Sequence, residues 1–204
     1  MNVYPLLPMK ALLITATDTE IGKTVLITSL TAYWRTYLPK KSLGLIKLIQ
    51  SGVGDQERYQ HLFGADPHLE IKVPLYFQAP LAPAIAAAKE GKTVELQRVW
   101  QEFCSLEQRK DFVLVEALGG LGSPVTEELT VADIAGEWHL DTVLVVPVKL
   151  GAIAQAVANV ALARQHRINL KGIILSCSQP ISEEQLSDWT PINLIESLTC
   201  MPVL

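Results

Sequence analysis

Five short runs of nearly uninterrupted apolar residues limit what this chain can fold into. They are Ala11–Ala16 (ALLITA), Leu43–Lys47 (LGLIK), Phe112–Ala117 (FVLVEA), Asp141–Val148 (DTVLVVPV) and Lys171–Ser176 (KGIILS). A strand with one wet face alternates apolar and polar residues, whereas a run apolar at consecutive positions is buried on both faces. Segments with helical spacing separate the runs: Lys23–Tyr37, Gln56–Phe63 stopped by Gly64, Val94–Leu106 and Ala152–His166. Ala79–Glu90 opens with prolines and reads as a loop entering a helix. Ser182–Leu198 contains a helix with a capping-box start, Ser182 with Gln185 three residues on. Met201–Leu204 reads as the start of one more strand. Strand–helix alternation predicts an α/β fold, a mostly parallel sheet with helices on both faces. In such sheets ligands bind at the carboxyl ends of the strands, so the polar residues just past each run are the candidates for chemistry.

The chain has 204 residues, enough for one domain over 1–204, with residues 1–8 expected as a flexible extension before Met9. A net charge of -4 without a basic run predicts no nucleic-acid partner. The N-terminus lacks the pattern of a signal peptide. The apolar stretch Thr142–Ala163 is broken by Pro147, Lys149, Gln155 and Asn159, which predicts a buried strand and helix and no membrane association. Cys104, Cys177 and Cys200 fit no metal-binding spacing and read as reduced core thiols of a cytoplasmic protein. His61, His68, His139 and His166 read as surface or packing residues.

The first strand runs into Ala16-Thr17-Asp18-Thr19-Glu20-Ile21-Gly22-Lys23-Thr24 and then a helix. Strand, loop, Gly-Lys-Thr and helix is the setting of a phosphate-binding P-loop. Loop N–H groups and the helix dipole favour an anion there. Lys23 would reach the terminal phosphates, and Thr24 would place its hydroxyl on Mg²⁺. After the second strand come Lys47-Leu48-Ile49-Gln50-Ser51-Gly52 and then Asp55. After the third come Glu116-Ala117-Leu118-Gly119-Gly120. A carboxylate at the end of an apolar strand suits a metal ligand beside a nucleotide.

Taken together, these strings resemble the dethiobiotin synthetase family of P-loop enzymes, whose loop is one residue longer than the usual one. The resemblance spans nearly the whole chain. It implies catalytic roles for Lys47 and Lys23, and Mg²⁺ held by Thr24, Asp55 and Glu116. It implies nucleotide contacts at Glu20, Ile21, Gly22, Lys23, Thr24, Val25, Asp55, Glu116, Ala117, Leu118, Gly119, Ser176 and Cys177. It implies substrate contacts at Thr19, Ser51, Leu150 and Gly151, the last two across a homodimer interface. The implied reaction joins 7,8-diaminopelargonic acid and CO₂ into dethiobiotin at the expense of ATP. Departures from the family pattern are Ala16 for glycine, Leu48 for proline, Ala117 and Leu118 in the glycine-rich turn, and Ser176 for the asparagine that reads adenine. The chain also stops at Pro202-Val203-Leu204, before the family's last base-binding segment. Loose adenine discrimination is therefore expected. A non-catalytic nucleotide-sensing domain is the alternative. A partitioning-type ATPase ranks lower, because Asp18 stands where that group carries its extra lysine.

Overall fold

The computed structural model describes residues 10–204. The extension at residues 1–8 and the start at Met9 lie outside them. Six parallel strands form the main sheet: β1 (Ala11–Ala16), β2 (Leu43–Lys47), β4 (Leu69–Lys72), β6 (Phe112–Gly120), β7 (Asp141–Pro147) and β8 (Asn169–Ser176). Their order is β4-β2-β6-β1-β7-β8, and a separate two-stranded parallel pair joins β3 (Ile49–Ser51) to β5 (Leu75–Phe77). Helices α1 (Lys23–Tyr37), α2 (Asp55–Phe63), α3 (Pro83–Lys89), α4 (Leu96–Arg109), α5 (Val131–Glu137), α6 (Ala152–Gln165), α7 (Glu183–Trp189) and α8 (Ile192–Thr199) complete it.

Alternation along β6 shows why the runs are apolar throughout. Val113, Val115 and Ala117 enter one core with Phe103 and Leu106 of α4. Leu114 enters the opposite core with Ile27 of α1 and Tyr59 of α2. A third cluster joins Leu144 and Val146 of β7 to Ala152, Ala156 and Val160 of α6 and Ile195 of α8. The central strands β1, β2, β6 and β7 are covered on both sides, so neither set of their side chains can be polar without a partner.

The structure adds elements that the apolar pattern does not reveal. β3, β4, β5 and α5 are short, and β4 carries Glu70 and Lys72 at the sheet edge. Charge on an edge strand guards against edge-to-edge pairing while erasing the apolar signature. Ser182–Leu198 divides into two helices at Pro191, and the Ser182 cap forms as expected, its hydroxyl accepting the Gln185 N–H at 3.1 Å. Val203 makes only an isolated bridge to Ile173 at the far edge. Cys104 is half-buried, while Cys177 and Cys200 are exposed free thiols and not core residues.

Candidate active site

The carboxyl ends of β1, β2 and β6 lie side by side. In parallel register, Glu116 of β6 is paired with Lys47 of β2 on one side and Ile14 of β1 on the other. The phosphate loop leaves β1 over the same edge. Its last residue, Gly22, caps α1 with φ 104° and ψ 9°. A Cβ there would lie 2.4 Å from the Ser176 Oγ, so the position needs glycine for conformation and for space. Glu20 also adopts a left-handed backbone, φ 56°, which turns the loop without a glycine. Gly120 is close-packed as well: a Cβ would meet the Ala16 carbonyl at 2.8 Å.

Five side chains from four elements converge. Thr24, in the first turn of α1, donates its hydroxyl toward Glu116 Oε1 at 2.8 Å and lies 3.1 Å from Asp55 Oδ1. Lys47 is bonded to Asp55 Oδ2 and sits 3.6 Å from Glu116 Oε1. Lys23 bends across its own loop to the Asp18 carbonyl at 3.0 Å. Lys23, Lys47 and Glu116 are 7%, 8% and 1% exposed, so three charges are held out of water side by side. Burial lowers the pKa of the Lys23 ammonium, opposed chiefly by Glu116. Burial raises that of the Glu116 carboxyl, opposed chiefly by Lys47. Charges are expensive to bury unless partners or ligands compensate them.

The donor set fits Mg²⁺: one hydroxyl and two carboxylates, all hard oxygen, each carboxylate within hydrogen-bonding reach of the hydroxyl. Among the described residues no group of three or more His, Cys, Asp or Glu could hold a metal by itself. Two acids and a hydroxyl need the phosphate oxygens of a nucleotide to complete the shell, as Mg²⁺ sites commonly do.

Three further residues act here without having been singled out in the sequence. Gln50, 2% exposed, accepts the Gln56 N–H at 2.9 Å and donates to the Gly52 carbonyl at 3.1 Å, pinning the loop that presents Asp55. Tyr59, fully buried, donates to Glu116 Oε2 at 2.7 Å. Gln155 of α6 is 3.3 Å from the Thr17 hydroxyl and ties α6 to the phosphate loop. The available signal for Tyr59 was its place four residues after Asp55 on the same helix face; Gln50 offered none, and Gln155 showed only as a polar break in an apolar stretch.

The remaining expected residues divide. Thr19 borders Gly119, which takes a left-handed φ of 59°. The Ser51 hydroxyl is buried without a hydrogen-bond partner, an orphan that calls for a ligand. Ile21 is buried against the α1–α2 core, and Val25 is exposed on α1. Ala117 and Leu118 belong to β6, which runs on to Gly120, and not to a loop. The Ala117 side chain faces the core opposite Glu116, so only its backbone is available to a ligand. Ser176 stands against Gly22, and Cys177 follows it on the surface. Leu150 is 77% exposed, and Gly151 caps α6 with φ 87°. His61, His68 and His139 are exposed, and His166 pairs with Asp133 at 3.3 Å.

A family model described as an AAA domain matches residues 10–204. An ATP-dependent dethiobiotin synthetase BioD of Gloeothece citriformis (strain PCC 7424) is 80% identical over 196 residues, 96% of this chain and 87% of that protein. The chain belongs to the dethiobiotin synthetase family. The synthetase of Synechocystis sp. is 53% identical over 195 residues, 96% of this chain and 82% of that protein. Among solved structures, a ParA family ATPase from Chlorobium tepidum TLS superposes with a TM-score of 0.59 at 14% identity, covering 96% of this chain and 81% of that one. That likeness speaks to the fold alone. The dethiobiotin synthetase relatives carry the functional comparison.

Proposed function

We propose that this chain closes the cyclic urea of dethiobiotin from 7,8-diaminopelargonic acid, CO₂ and ATP. One substrate amine adds to CO₂ and loses a proton, giving a carbamate. A carbamate oxygen attacks the γ-phosphorus, and the bond to the ADP oxygen breaks. The second amine then attacks the carbonyl carbon of the mixed anhydride, closing the ring and expelling phosphate. The observation that carries this reading is the convergence of Lys23, Lys47, Thr24, Asp55 and Glu116 at three neighbouring strand ends.

Phosphoryl transfer needs positioning and charge stabilisation more than a covalent catalyst. Lys23, drawn out of water at the loop, neutralises the β- and γ-phosphate oxygens. Lys47, bonded to Asp55 and close to Glu116, serves the carbamate and the transferring phosphoryl group. Thr24, Asp55 and Glu116 would hold Mg²⁺, which supplies further neutralisation of the phosphates when bound. Loop N–H groups from Glu20 to Val25 cradle the phosphates, with Gly119 at the far wall. The unpartnered Ser51 hydroxyl and Thr19 serve the diamine. Ser176 is the only one of the two residues at the β8 end with a hydroxyl for the base, so adenine is read loosely.

We further propose a homodimer in the cytoplasm. An apolar groove of about 590 Å³ runs along α6 between Leu150, Ile153, Val157, Trp189 and Leu198, and covering it would bring Leu150 and Gly151 to a second copy. No helix of the described residues is long and apolar enough to cross a membrane. The test of function is phosphate release on mixing the enzyme with ATP, bicarbonate and the diamine, with the product identified by mass. Nucleotide binding without diamine-dependent phosphate release and with no cyclic urea formed would replace this reading with a nucleotide-sensing one.

A further inference from the structure

We infer that Tyr59 is a positioning residue for the metal site: its phenol holds one oxygen of Glu116 so that the other is presented to the metal and Thr24. The inference rests on the Mg²⁺ reading of Thr24, Asp55 and Glu116.

The two oxygens of Glu116 have separate tasks. Oε2 accepts the Tyr59 hydroxyl at 2.7 Å, and Oε1 faces the Thr24 hydroxyl at 2.8 Å and the Lys47 ammonium at 3.6 Å. A carboxylate free to spin would offer either oxygen. One tied by a short bond to a buried donor offers a single edge. The phenol is itself immobile, because Tyr59 is fully buried among Ile27, Leu45 and Leu114. Its helix adds a second constraint. Asp55 opens α2 and Tyr59 follows four residues later, so both project from one face. The same helix therefore delivers a ligand and orients its partner ligand. Gln50 pins the start of that helix, so the pair moves as a unit. Partners of metal-bound carboxylates fix ligand geometry and tune affinity in this manner.

A simpler role is possible for any buried tyrosine, which needs an acceptor somewhere. The two roles separate by experiment. Tyr59→Phe keeps the ring and removes only the hydroxyl. Mn²⁺ is titrated into the enzyme·ADP complex and its free signal followed by electron paramagnetic resonance. ADP affinity without metal and the melting temperature are read alongside. If Tyr59 positions Glu116, Mn²⁺ affinity falls about tenfold or more, while metal-free ADP affinity stays within twofold. Tyr59→Leu gives the same metal loss with a lower melting temperature. Site-specific 3-fluorotyrosine at position 59 keeps the hydroxyl, leaves the fold intact, and holds Mn²⁺ affinity within about twofold of wild type. Mn²⁺ affinity within twofold of wild type in Tyr59→Phe, or a loss with fluorotyrosine as large as that in Tyr59→Phe, overturns the inference. If the wild-type ADP complex binds no Mn²⁺, the metal reading itself fails.

Discussion

Lys47→Ala tests the electrostatics of the site most directly. The wild-type ammonium is 8% exposed, bonded to Asp55 and 3.6 Å from Glu116. Removing it leaves two carboxylates facing one another, and Glu116 has almost no access to water. Breaking a buried pair by deleting one partner costs about 3–5 kcal/mol. Two features reduce that figure here. The Asp55 side chain is 33% exposed, so water screens it. Glu116, whose pKa burial already raises, can take up a proton. The net loss is expected below that range, ~2–3 kcal/mol, or roughly 5–10 °C in melting temperature for a chain of this size.

The sign of the pH effect follows from Glu116. Without Lys47 to oppose burial, its folded pKa rises further above the unfolded value. The folded state then holds a proton that the unfolded chain releases, so stability increases as pH falls through the raised folded value. The deficit of Lys47→Ala is therefore largest near neutral and alkaline pH, and shrinks on mild acidification. Thermal unfolding in metal-free buffer at several pH values measures it. Turnover in the same variant should fall at least roughly 100-fold, the scale of losing one contact to transition-state charge. A variant as stable as wild type at every pH, or one with near-normal turnover, would refute this account of the three buried charges.

Gly22→Ala combines a left-handed backbone with a Cβ placed 2.4 Å from the Ser176 Oγ. Strain of ~1–3 kcal/mol and a melting temperature lower by roughly 3–10 °C are expected. Adding Ser176→Ala should recover the clash but not the strain, and differential scanning fluorimetry separates the two. Hydrogen bonds from Arg109, then Lys110, hold the Glu70 carboxyl down to about 2 from 4.5. A depressed acid stabilises the fold above its unfolded pKa, and that contribution disappears as pH falls from 4.5 toward about 2. Glu70→Gln should therefore flatten acid destabilisation in that window. The gain is at most ~1 kcal/mol, because the Glu70 carboxylate is partly open to water and its partner Arg109 is largely exposed. Leu150→Glu places a charge in the apolar groove on α6. It should shift the sedimentation of the proposed dimer toward monomer while leaving the melting temperature of the subunit nearly unchanged.

Much of this architecture was legible because strands buried on both faces must be apolar throughout. Ala11–Ala16, Leu43–Lys47 and Lys23–Tyr37 emerge at the boundaries the pattern implies. The same logic exposed Lys47 and Glu116, since a charge at the end of such a run has few reasons to be there other than chemistry. Local chemistry also marked the Gly-Lys-Thr turn and the Ser182 cap. The edge strand β4, the pair β3–β5 and the short α5 stayed hidden. β4 is masked by its edge charges, and β3, β5 and α5 are too short to show a periodicity, so their packing depends on neighbours far along the chain.

Tertiary structure alone decided how the carboxylates and lysines meet. The insertion of β6 between β2 and β1 puts Lys47 in register with Glu116, although 68 residues separate them in the chain. Register is set by the packing of whole strands, and no local string records it. The same holds for Tyr59, whose phenol finds Glu116 only because α2 lies against the face of β6 that carries Leu114. Sequence thus fixes which residues can do the chemistry through the cost of burying them. The fold decides which of them act together, through distances that only close packing creates.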